Sequence, residues 1–336
     1  MDAGTSERKG NMKAEQKCLE GIKVIDLFAG IGGFHLAFKS FGANIVYASE
    51  WDIEAAKIYE ENYGLKPVGD ITKIDEKDIP DHDIMCAGFP CQAFSISGNQ
   101  RGFEDSRGTL FFDVARIAKE KKPRIIFLEN VKNLVRHNGG QTYDTIKNVL
   151  NEIGYDVYDA ILDSADYGSA QSRKRVYIVC FRKDMEIKVF SFPKPLEKHK
   201  YVEDIIVEQD CDKYQITRND VNFNNIKEMY VNKPLRIGTI NKGGQGERIY
   251  STKGKAITLS AYGGGVGAKT GLYYINGKIR KLSPRECARL QGFPDSFIIS
   301  EKENIAYKQF GNSVVVDVLQ QIIEKIVENE AVMRWL

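Results

Sequence analysis

The sequence lacks the closely spaced cysteines and histidines that mark a disulfide framework or a zinc site. Its six cysteines are scattered without a CxxC pair, and its four histidines lie far apart. Because both kinds of framework need such residues at short spacing, the sequence indicates neither. Free thiols are typical of proteins in a reducing compartment, and we expect no resident metal ion.

Long hydrophobic runs are missing as well. No apolar stretch approaches the roughly 18 residues that a membrane-spanning helix needs, and residues 1–20 are charged, without the apolar core of a signal peptide. The content of hydrophobic residues, 42% of 336, is ordinary for a globular protein with one large and one smaller domain. We therefore expect a cytoplasmic protein that does not bind membranes, and we assign no function to residues 1–20.

Charge of one sign is not in large excess, but it is unevenly distributed. The net charge of +2 is too small to indicate a nucleic-acid-binding protein by itself. Residues 233–281, however, contain ten Lys or Arg and the single acid Glu247, whereas residues 201–232 contain seven acids and three bases. A local basic surface of this kind attracts phosphates. Taken alone, the same run of lysines is more often a solvated face.

Apolar strand-like runs alternate with amphipathic helical runs from residue 21 to about residue 195. This alternation is typical of a doubly wound α/β sheet. The pattern predicts strands over 22–28, 45–49, 83–88, 124–128, 155–162 and 175–180, and helices over 34–41, 54–63, 109–121, 143–153 and 313–326. The alternation breaks near residues 192–195. Residues 233–281 contain eleven glycines and four tyrosines, which favours a small, loop-rich β domain.

Two reactive side chains follow two of the predicted strands. Cys91 comes shortly after the apolar run 83–88, and Glu129 directly after the run 124–128. Such runs are typical of central parallel strands, and ligands bind beyond the carboxyl ends of these strands. We therefore place both residues in one active site, as a nucleophile and a group that handles a proton. Taken singly, Cys91 could be a buried small hydrophobic residue and Glu129 a helix cap.

A glycine-rich turn, residues 26–33, follows the first strand and lets a ligand approach the backbone closely. The turn does not have the GxGxxG spacing of dinucleotide sites. Glu50, however, follows about twenty residues later at the tip of the second strand, where an acid can bind both ribose hydroxyls. Together these features predict a ligand that contains adenosine, with Trp51 against the adenine and Asp70 at its amino group. Ordinary packing is the alternative role for Trp51.

Six short segments resemble, in the same order, the motifs of the DNA cytosine-5 methyltransferases. They are Asp26-Leu27-Phe28-Ala29-Gly30-Ile31-Gly32-Gly33, Gly88-Phe89-Pro90-Cys91-Gln92, Glu129-Asn130-Val131, Gln171-Ser172-Arg173-Lys174-Arg175, Leu290-Gln291-Gly292-Phe293-Pro294 and Gly311-Asn312-Ser313. The resemblance extends from Gly21 to the C-terminal helix. It implies a Rossmann-like α/β sheet with a second, smaller β-rich domain. It also implies S-adenosyl-L-methionine (AdoMet) as the methyl donor, with S-adenosyl-L-homocysteine as the product.

The resemblance also implies how cytosine is activated. C5 of cytosine is a poor nucleophile, and addition of a thiolate at C6 turns C4–C5 into an enamine that can accept a methyl group. Cys91 is the implied nucleophile, and Glu129 hydrogen-bonds N3 and the exocyclic amine and supplies a proton to N3. Arg175 contacts the base carbonyl, and Arg173 lies near the thiolate or Glu129. Loss of the C5 proton to a base and elimination of Cys91 complete the cycle.

The AdoMet contacts and the division of the chain follow from the same resemblance. The implied cofactor contacts are Phe28, Gly30, Gly32, Gly33, Glu50, Trp51, Asp70, Ile71, Pro90, Leu110, Asn312 and Ser313. The implied divisions are an N-terminal extension (1–20), a catalytic AdoMet-binding domain (21–202), a target-recognition domain (203–283), a hinge and return segment (284–311) and a C-terminal helix packed on the catalytic domain (312–336).

Duplex DNA is the implied partner. A paired cytosine cannot be reached within the duplex, so the base must be flipped out, with Ser97 and Gln245 approaching the gap from opposite sides. The implied target is GCGC, methylated on its first cytosine. The other implied DNA contacts are Arg248, Thr258 and Tyr262 for the bases and Lys253 and Lys255 for the phosphates.

The wider setting implied is a compact, monomeric enzyme of a bacterial restriction-modification system, located in the cytoplasm and accompanied by a cognate endonuclease. Two other functions stay open. A tRNA cytosine-5 methyltransferase would share the catalytic motifs, and a catalytically silent DNA-binding module could retain AdoMet. Methyl transfer to duplex DNA, to tRNA or to neither distinguishes the three.

Overall fold

The computed structural model describes residues 18–90, 110–207 and 211–336. Six strands form a first sheet in the order β2-β1-β3-β4-β6-β5. The strands are β1 (Lys23–Leu27), β2 (Asn44–Ser49), β3 (Ile84–Ala87), β4 (Ile125–Val131), β5 (Tyr155–Asp163) and β6 (Lys174–Arg182). β1 to β4 are parallel, whereas β6 runs antiparallel to β4 and β5. The predicted α/β sheet is confirmed, and the reversal of β6 is a feature that the sequence pattern does not predict.

Successive residues of the central strands point into two different hydrophobic cores, as the pleat of a strand requires. Along β3, Ile84 and Cys86 belong to one core, and Met85 and Ala87 belong to the other. All four residues of β3 are buried. Burial on both faces explains why the sequence of this strand is a continuous apolar run rather than an alternating one.

Helices cover both faces of the first sheet. Side chains of α1 and α7 lie in one core and those of α3 and α4 in the other. The helices of the described residues are α1 (Gly33–Lys39), α2 (Ile53–Tyr63), α3 (Leu110–Lys121), α4 (Gln141–Glu152), α5 (Pro284–Leu290), α6 (Glu303–Asn312), α7 (Val316–Val327) and α8 (Glu330–Met333). α7 packs on α1, so the C-terminal part of the chain returns to the first sheet. Within the described ranges, none of the helices has the length and apolarity needed to cross a bilayer.

A second, five-stranded sheet lies in the order β11-β10-β9-β8-β7. Its strands are β7 (Asn222–Phe223), β8 (Arg236–Thr239), β9 (Arg248–Ser251), β10 (Leu272–Ile275) and β11 (Lys278–Arg280). The turn between β10 and β11 places Asn276 and Gly277 at positive φ, 51° and 80°, as a tight Asn-Gly hairpin turn requires. The small second β-rich region that the sequence predicts is thus confirmed.

The two sheets meet through short segments of backbone. Gln171, just before β6, forms a parallel bridge with Ala256, which follows β9. On the other side, Arg280 at the end of β11 makes a buried pair with Glu286 in α5, with nitrogen–oxygen distances of 2.7 and 2.6 Å. Glu286 also caps its own helix, because it accepts a hydrogen bond from the backbone N–H of Ser283 at 2.7 Å.

Candidate active site

Glu129 and Arg175 form an ion pair at the carboxyl end of β4. The Glu129 side chain is almost completely buried, with 7% of its residue surface exposed, and its Oε1 lies 3.1 Å from Nε of Arg175. The antiparallel register of β4 and β6 explains the contact, since Val131 pairs with Arg175. Burial raises the pKa of Glu129, and the positive charges of Arg175 and Arg173 oppose that shift. The structure therefore brings together two of the predicted catalytic residues, Glu129 and Arg175.

Asn130 connects Glu129 to the segment that precedes the predicted nucleophile. Its Nδ2 donates to the carbonyl of Phe89 at 2.8 Å, and its Oδ1 accepts from the backbone N–H of Val131 at 2.8 Å. A Cβ built on Gly88 would lie 4.0 Å from Oε2 of Glu129, so the carboxyl group faces this segment. The sequence reasoning gives Asn130 no role; its place directly after Glu129 in a shared motif is the signal that could have found it.

Cys91 and Ser97 lie outside the described residues. Pro90, the last residue before that gap, is exposed, and Leu110, the first residue after it, begins α3 and is half-buried. The last described residues before the gap therefore follow β3 beside Glu129, and the first described residue after it begins a helix that packs on the same sheet.

Arg173 holds backbone from two other parts of the chain. Its Nη1 donates to the carbonyl of Leu259 at 3.1 Å, and its Nη2 donates to the carbonyls of Gly311 and Ser313 at 3.0 and 2.9 Å. Burial and the nearby Arg175 lower the pKa of Arg173 to about 9, while Glu129 opposes the shift. Arg173 thus lies within electrostatic reach of Glu129, as predicted, but its terminal nitrogens position backbone rather than point to a substrate.

The glycine-rich turn after β1 has a strained entry and one open position. Phe28 has φ 55°, a left-handed conformation that residues other than glycine seldom adopt outside functional sites. Gly30 has φ 56°, and a Cβ built on it would meet no atom within 4 Å. A Cβ on Gly32 or Gly33 would instead clash with Tyr63 at 2.2 Å or Val314 at 2.4 Å. Open space for a ligand therefore lies over Gly30, and the other two glycines allow close packing.

Glu50 joins the glycine-rich turn to the start of α2. Its Oε2 accepts from the backbone N–H of Gly30 at 2.7 Å and its Oε1 from that of Asp52 at 2.8 Å. Burial raises the pKa of Glu50, opposed by these backbone hydrogen bonds. A carboxylate oxygen has two lone pairs, so each oxygen can still accept a hydroxyl of a ribose placed over Gly30.

Two exposed apolar side chains follow Glu50 in the chain. Trp51 is 75% exposed and Ile53 is 84% exposed. Packing in the protein core, the alternative role for Trp51, is therefore wrong, because most of the indole surface is free to contact a ligand. The next loop presents Asp70, whose hydrogen bonds from Thr72 lower the pKa of its carboxyl group.

Three further predicted cofactor contacts, Ile71, Asn312 and Ser313, differ in how far their side chains are exposed. Ile71 is buried in a core, and its carbonyl accepts a hydrogen bond from Nη2 of Arg116 at 2.7 Å. Asn312 ends α6 with an exposed side chain, whereas Ser313 is buried. A Cβ on Gly33 would lie 3.5 Å from Oγ of Ser313, so the C-terminal motif does pack against the glycine-rich turn.

Most of the predicted DNA contacts in the second sheet region are exposed. Gln245 is exposed in the loop before β9, Arg248 is exposed at the first position of that strand, and Tyr262 is 72% exposed. Glu247 braces this loop, because its carboxylate accepts from the N–H of Gly244 at 2.8 Å and from Nδ2 of Asn241 at 3.0 Å. The predicted recognition loop thus has an ordered base and exposed side chains, and Nε of Arg248 donates to the carbonyl of Gly243 at 3.4 Å.

Lys255 corrects the sequence prediction of a phosphate contact. The residue is completely buried, with 0% of its surface exposed, and its Nζ donates to the carbonyls of Ser169 at 3.0 Å and Lys200 at 2.6 Å. A side chain enclosed in this way cannot reach a DNA phosphate. Lys253, in contrast, is partly exposed, and Thr258 is exposed with its Oγ1 donating to the carbonyl of Ser172 at 2.7 Å.

Comparisons with known proteins agree with this geometry. Residues 22–328 match the sequence profile of the family described as C-5 cytosine-specific DNA methylase. The chain is 55% identical over 317 residues to the type II methyltransferase M.HhaI of Haemophilus parahaemolyticus, covering 94% of this chain and 97% of that protein. It is 47% identical over 308 residues to the type II methyltransferase M.SsoII of Shigella sonnei, covering 91% and 80%. The solved structure of Schizosaccharomyces pombe ("S. pombe") Dnmt2 methyltransferase superposes with a TM-score of 0.70 at 22% identity, covering 91% of this chain and 98% of that one. At that identity the superposition shows the fold alone.

Proposed function

Since the chain belongs to the family of C-5 cytosine-specific DNA methylases, we propose that it is a type II enzyme that methylates a flipped-out cytosine in a short duplex sequence with AdoMet as the donor. The observation that carries the proposal is the buried Glu129–Arg175 pair, which faces the segment leading to Cys91. It gives the family chemistry a place in this chain.

The proposed reaction begins with attack of the Cys91 thiolate on C6 of cytosine. Glu129, whose pKa is raised by burial, donates a proton to N3. As the thiolate adds, the electrons of the C5=C6 double bond shift to C4–C5 and those of the C4=N3 double bond shift to N3. Arg175 stabilises the carbonyl oxygen of the base through a charge-assisted hydrogen bond. C5 then accepts the methyl group and the N3 proton returns to Glu129. C5 loses its own proton to a base, and re-formation of the C5=C6 double bond expels the Cys91 thiolate.

The residues around the glycine-rich turn fit an adenosine-containing donor. Bound over Gly30, AdoMet would supply an electrophilic methyl group. Glu50 would accept hydrogen bonds from the ribose hydroxyls, Trp51 would cover the adenine, and Asp70 would accept from its amino group. The open space at Gly30 and the exposed indole support these assignments.

The burial of Glu129 supports base flipping as part of the proposed reaction. The residue lies on β4 and is only 7% exposed, and enzymes that act on a base within a duplex take that base out of the stack. We propose that Gln245 and Ser97 occupy the gap, and that Arg248, Thr258 and Tyr262 read neighbouring bases. Of the two predicted phosphate contacts, Lys253 and Lys255, only Lys253 remains proposed.

For the target, we propose GCGC with methylation of the first cytosine. The exposed recognition loop and the resemblance across residues 243–262 support this target. Methylation rates on duplexes that differ by single base pairs test it: equal rates on GCGC and its variants would rule it out.

The cellular setting is proposed from the relatives, which are bacterial type II methyltransferases. We propose a monomer in a bacterial cytoplasm that protects host DNA from a cognate endonuclease. For the division of the chain, we retain a catalytic domain (21–202), a recognition domain (203–283), a return segment (284–311) and a C-terminal helix (312–336). The second sheet, which lies within 222–280, and the packing of α7 on α1 support this division.

Transfer of labelled methyl groups from AdoMet tests the proposed function. The native chain and Cys91→Ser are given duplex DNA and, separately, tRNA, and the modified base is mapped. We expect transfer to C5 of cytosine in duplex DNA that is lost in the variant. Transfer to tRNA alone, or to neither nucleic acid, would reject the proposal.

A further inference from the structure

Lys255 is a buried cation at the junction between the two sheets. Its ammonium donates to the carbonyl of Ser169, which precedes β6, and to the carbonyl of Lys200. These partners are 86 and 55 residues away in the sequence. One side chain from the second sheet region therefore ties together two distant stretches of the first.

The segment that follows Lys255 lies directly on the catalytic motif of residues 171–175. The N–H of Ala256 donates to the carbonyl of Ala170 at 2.7 Å, and the N–H of Ser172 donates to the carbonyl of Ala256 at 2.9 Å. The N–H of Leu259 donates to Oε1 of Gln171 at 2.8 Å. We call these contacts, between residues 255–259 and 169–173, the seam.

The seam connects the proposed DNA contacts of the second sheet region to the Glu129–Arg175 pair through a few residues. Thr258, a proposed DNA contact, is part of it and bonds Ser172. Arg173 continues it through the carbonyls of Leu259 and Ser313, and Arg175, two residues further, pairs with Glu129. In the proposed complex with DNA, the position of residues 255–259 on this motif therefore sets where the DNA lies relative to the Glu129–Arg175 pair.

We propose that Lys255 is a positioning residue for methyl transfer, whose ammonium seats the recognition region on the catalytic motif. The proposal rests on the proposed function for its effect on DNA, but not for its effect on the seam itself. Lys255 contacts neither substrate nor cofactor; it acts through the backbone that it holds.

The charges around Lys255 are consistent with this role. Burial lowers the pKa of Lys255 to about 8, opposed by Asp166, Asp163 and Asp204 and reinforced by Lys200. The ring of Tyr201 lies 5.4 Å from Nζ, within the range of a cation–π contact. The ammonium is therefore charged at neutral pH and loses its proton in mildly alkaline buffer, where its hydrogen bonds to the two carbonyls weaken.

The first test is independent of activity. Hydrogen exchange is measured at the backbone amides of Ser172, Ala256 and Leu259 in the native chain, in Lys255→Met, which keeps the length of the side chain, and in Lys255→Arg, which keeps the charge. Lys227→Met, at an exposed lysine of the same region, is the matched control. We expect at least about tenfold faster exchange at these amides in Lys255→Met, because hydrogen bonds to a charged group are lost, with partial restoration in Lys255→Arg. Exchange in the central strand β4 should not change.

The second test uses duplex DNA. Lys255→Met should raise KM for the duplex by about tenfold and leave AdoMet binding, measured by calorimetry, unchanged. The ratio of native to variant kcat/KM should shrink as the pH rises through about 8, because the native residue then also loses its charge. Unchanged exchange at the seam overturns the proposal, as does a defect shared equally by β4. If the native chain methylates no DNA, the proposed function fails, and the exchange result still decides the role of Lys255.

Discussion

The first sheet and the second sheet differ in how much of each is enclosed. The first sheet is covered by helices on both faces, and its central strand β3 is buried throughout. The second sheet has a core of five buried hydrophobic residues, and Phe223 and Tyr274, whose ring centroids lie 5.2 Å apart, remain 52% and 38% exposed. The enclosed sheet fixes reactive groups in place, and the open sheet presents side chains to a partner.

The largest expected effect comes from the pair at the edge of the enclosed sheet. Glu129→Gln keeps the size of the side chain but removes the proton that N3 needs. We expect kcat to fall by about 10² to 10⁴, with AdoMet binding unchanged. Single-turnover methylation of duplex DNA measures this. A loss below about tenfold would mean that Glu129 does not handle the proton.

The next effect compares a buried ion pair with an exposed one in the second region. Arg280→Met leaves Glu286 charged and enclosed, and we expect it to lower the free energy of unfolding by about 3–5 kcal/mol. Urea unfolding measures the change. The matched control is Arg218→Met, which breaks the exposed pair with Asp220 and should leave the urea midpoint unchanged. Equal effects of the two changes would contradict the distinction between enclosed and open parts of this region.

A third prediction concerns the pH dependence of the enclosed sheet. Asp26, on β1, is almost completely buried; burial raises its pKa well above the ordinary value, opposed by the backbone N–H of His35 and reinforced by Glu50. Between the unfolded and the folded pKa the native chain binds one more proton than the unfolded chain, so stability falls as the pH rises. The slope is at most about 1.4 kcal/mol per pH unit.

Asp26→Asn removes this titration, because the amide stays neutral. We expect the variant to be more stable than the native chain at neutral and alkaline pH, and the difference to shrink as the pH falls towards the ordinary pKa of the carboxyl group. Urea unfolding across this range measures it. A constant difference at all pH values would show that Asp26 does not titrate on unfolding.

The smallest expected effect lies on the open sheet. Lys253→Ala should leave stability unchanged and weaken binding of every duplex to a similar extent, lowering the slope of log affinity against log salt by about 1. Arg248→Ala should instead reduce discrimination at one base pair by about 1–3 kcal/mol. Salt-dependent binding to matched and mismatched duplexes separates the two. A uniform loss in both variants would place Arg248 on the phosphate backbone.

Much of the enclosed region could be predicted from the sequence, because burial on two faces leaves a legible pattern. The apolar runs of β3 and β4 are continuous, and their parallel pairing brings Gly88 and Glu129 to one edge. The place of Glu50 followed from its distance to the glycine-rich turn. Its hydrogen bond to Gly30 could not be predicted, since it depends on the orientation of two loops.

Contacts between segments that are distant in the chain could not be predicted from the sequence. Lys255 stands among exposed lysines in the sequence, and only its contacts with Ser169 and Lys200 reveal a buried cation. The contacts of Arg173 could not be predicted either, because the carbonyls to which it donates belong to Leu259, Gly311 and Ser313. Contacts of this kind leave no local pattern, so composition and spacing carry no signal for them.

The central claim, that Cys91 adds to a flipped cytosine beside Glu129, is tested most directly by trapping the covalent adduct. A GCGC duplex with 5-fluorocytosine at the target position carries a C5 substituent that cannot leave as a proton, so elimination of the cysteine stops after methyl transfer. With AdoMet present, we predict a complex of native chain and duplex that survives denaturation and maps to Cys91, and none with Cys91→Ser. Methylation of the ordinary duplex without any such complex, or an equal yield of complex from Cys91→Ser, would contradict the account.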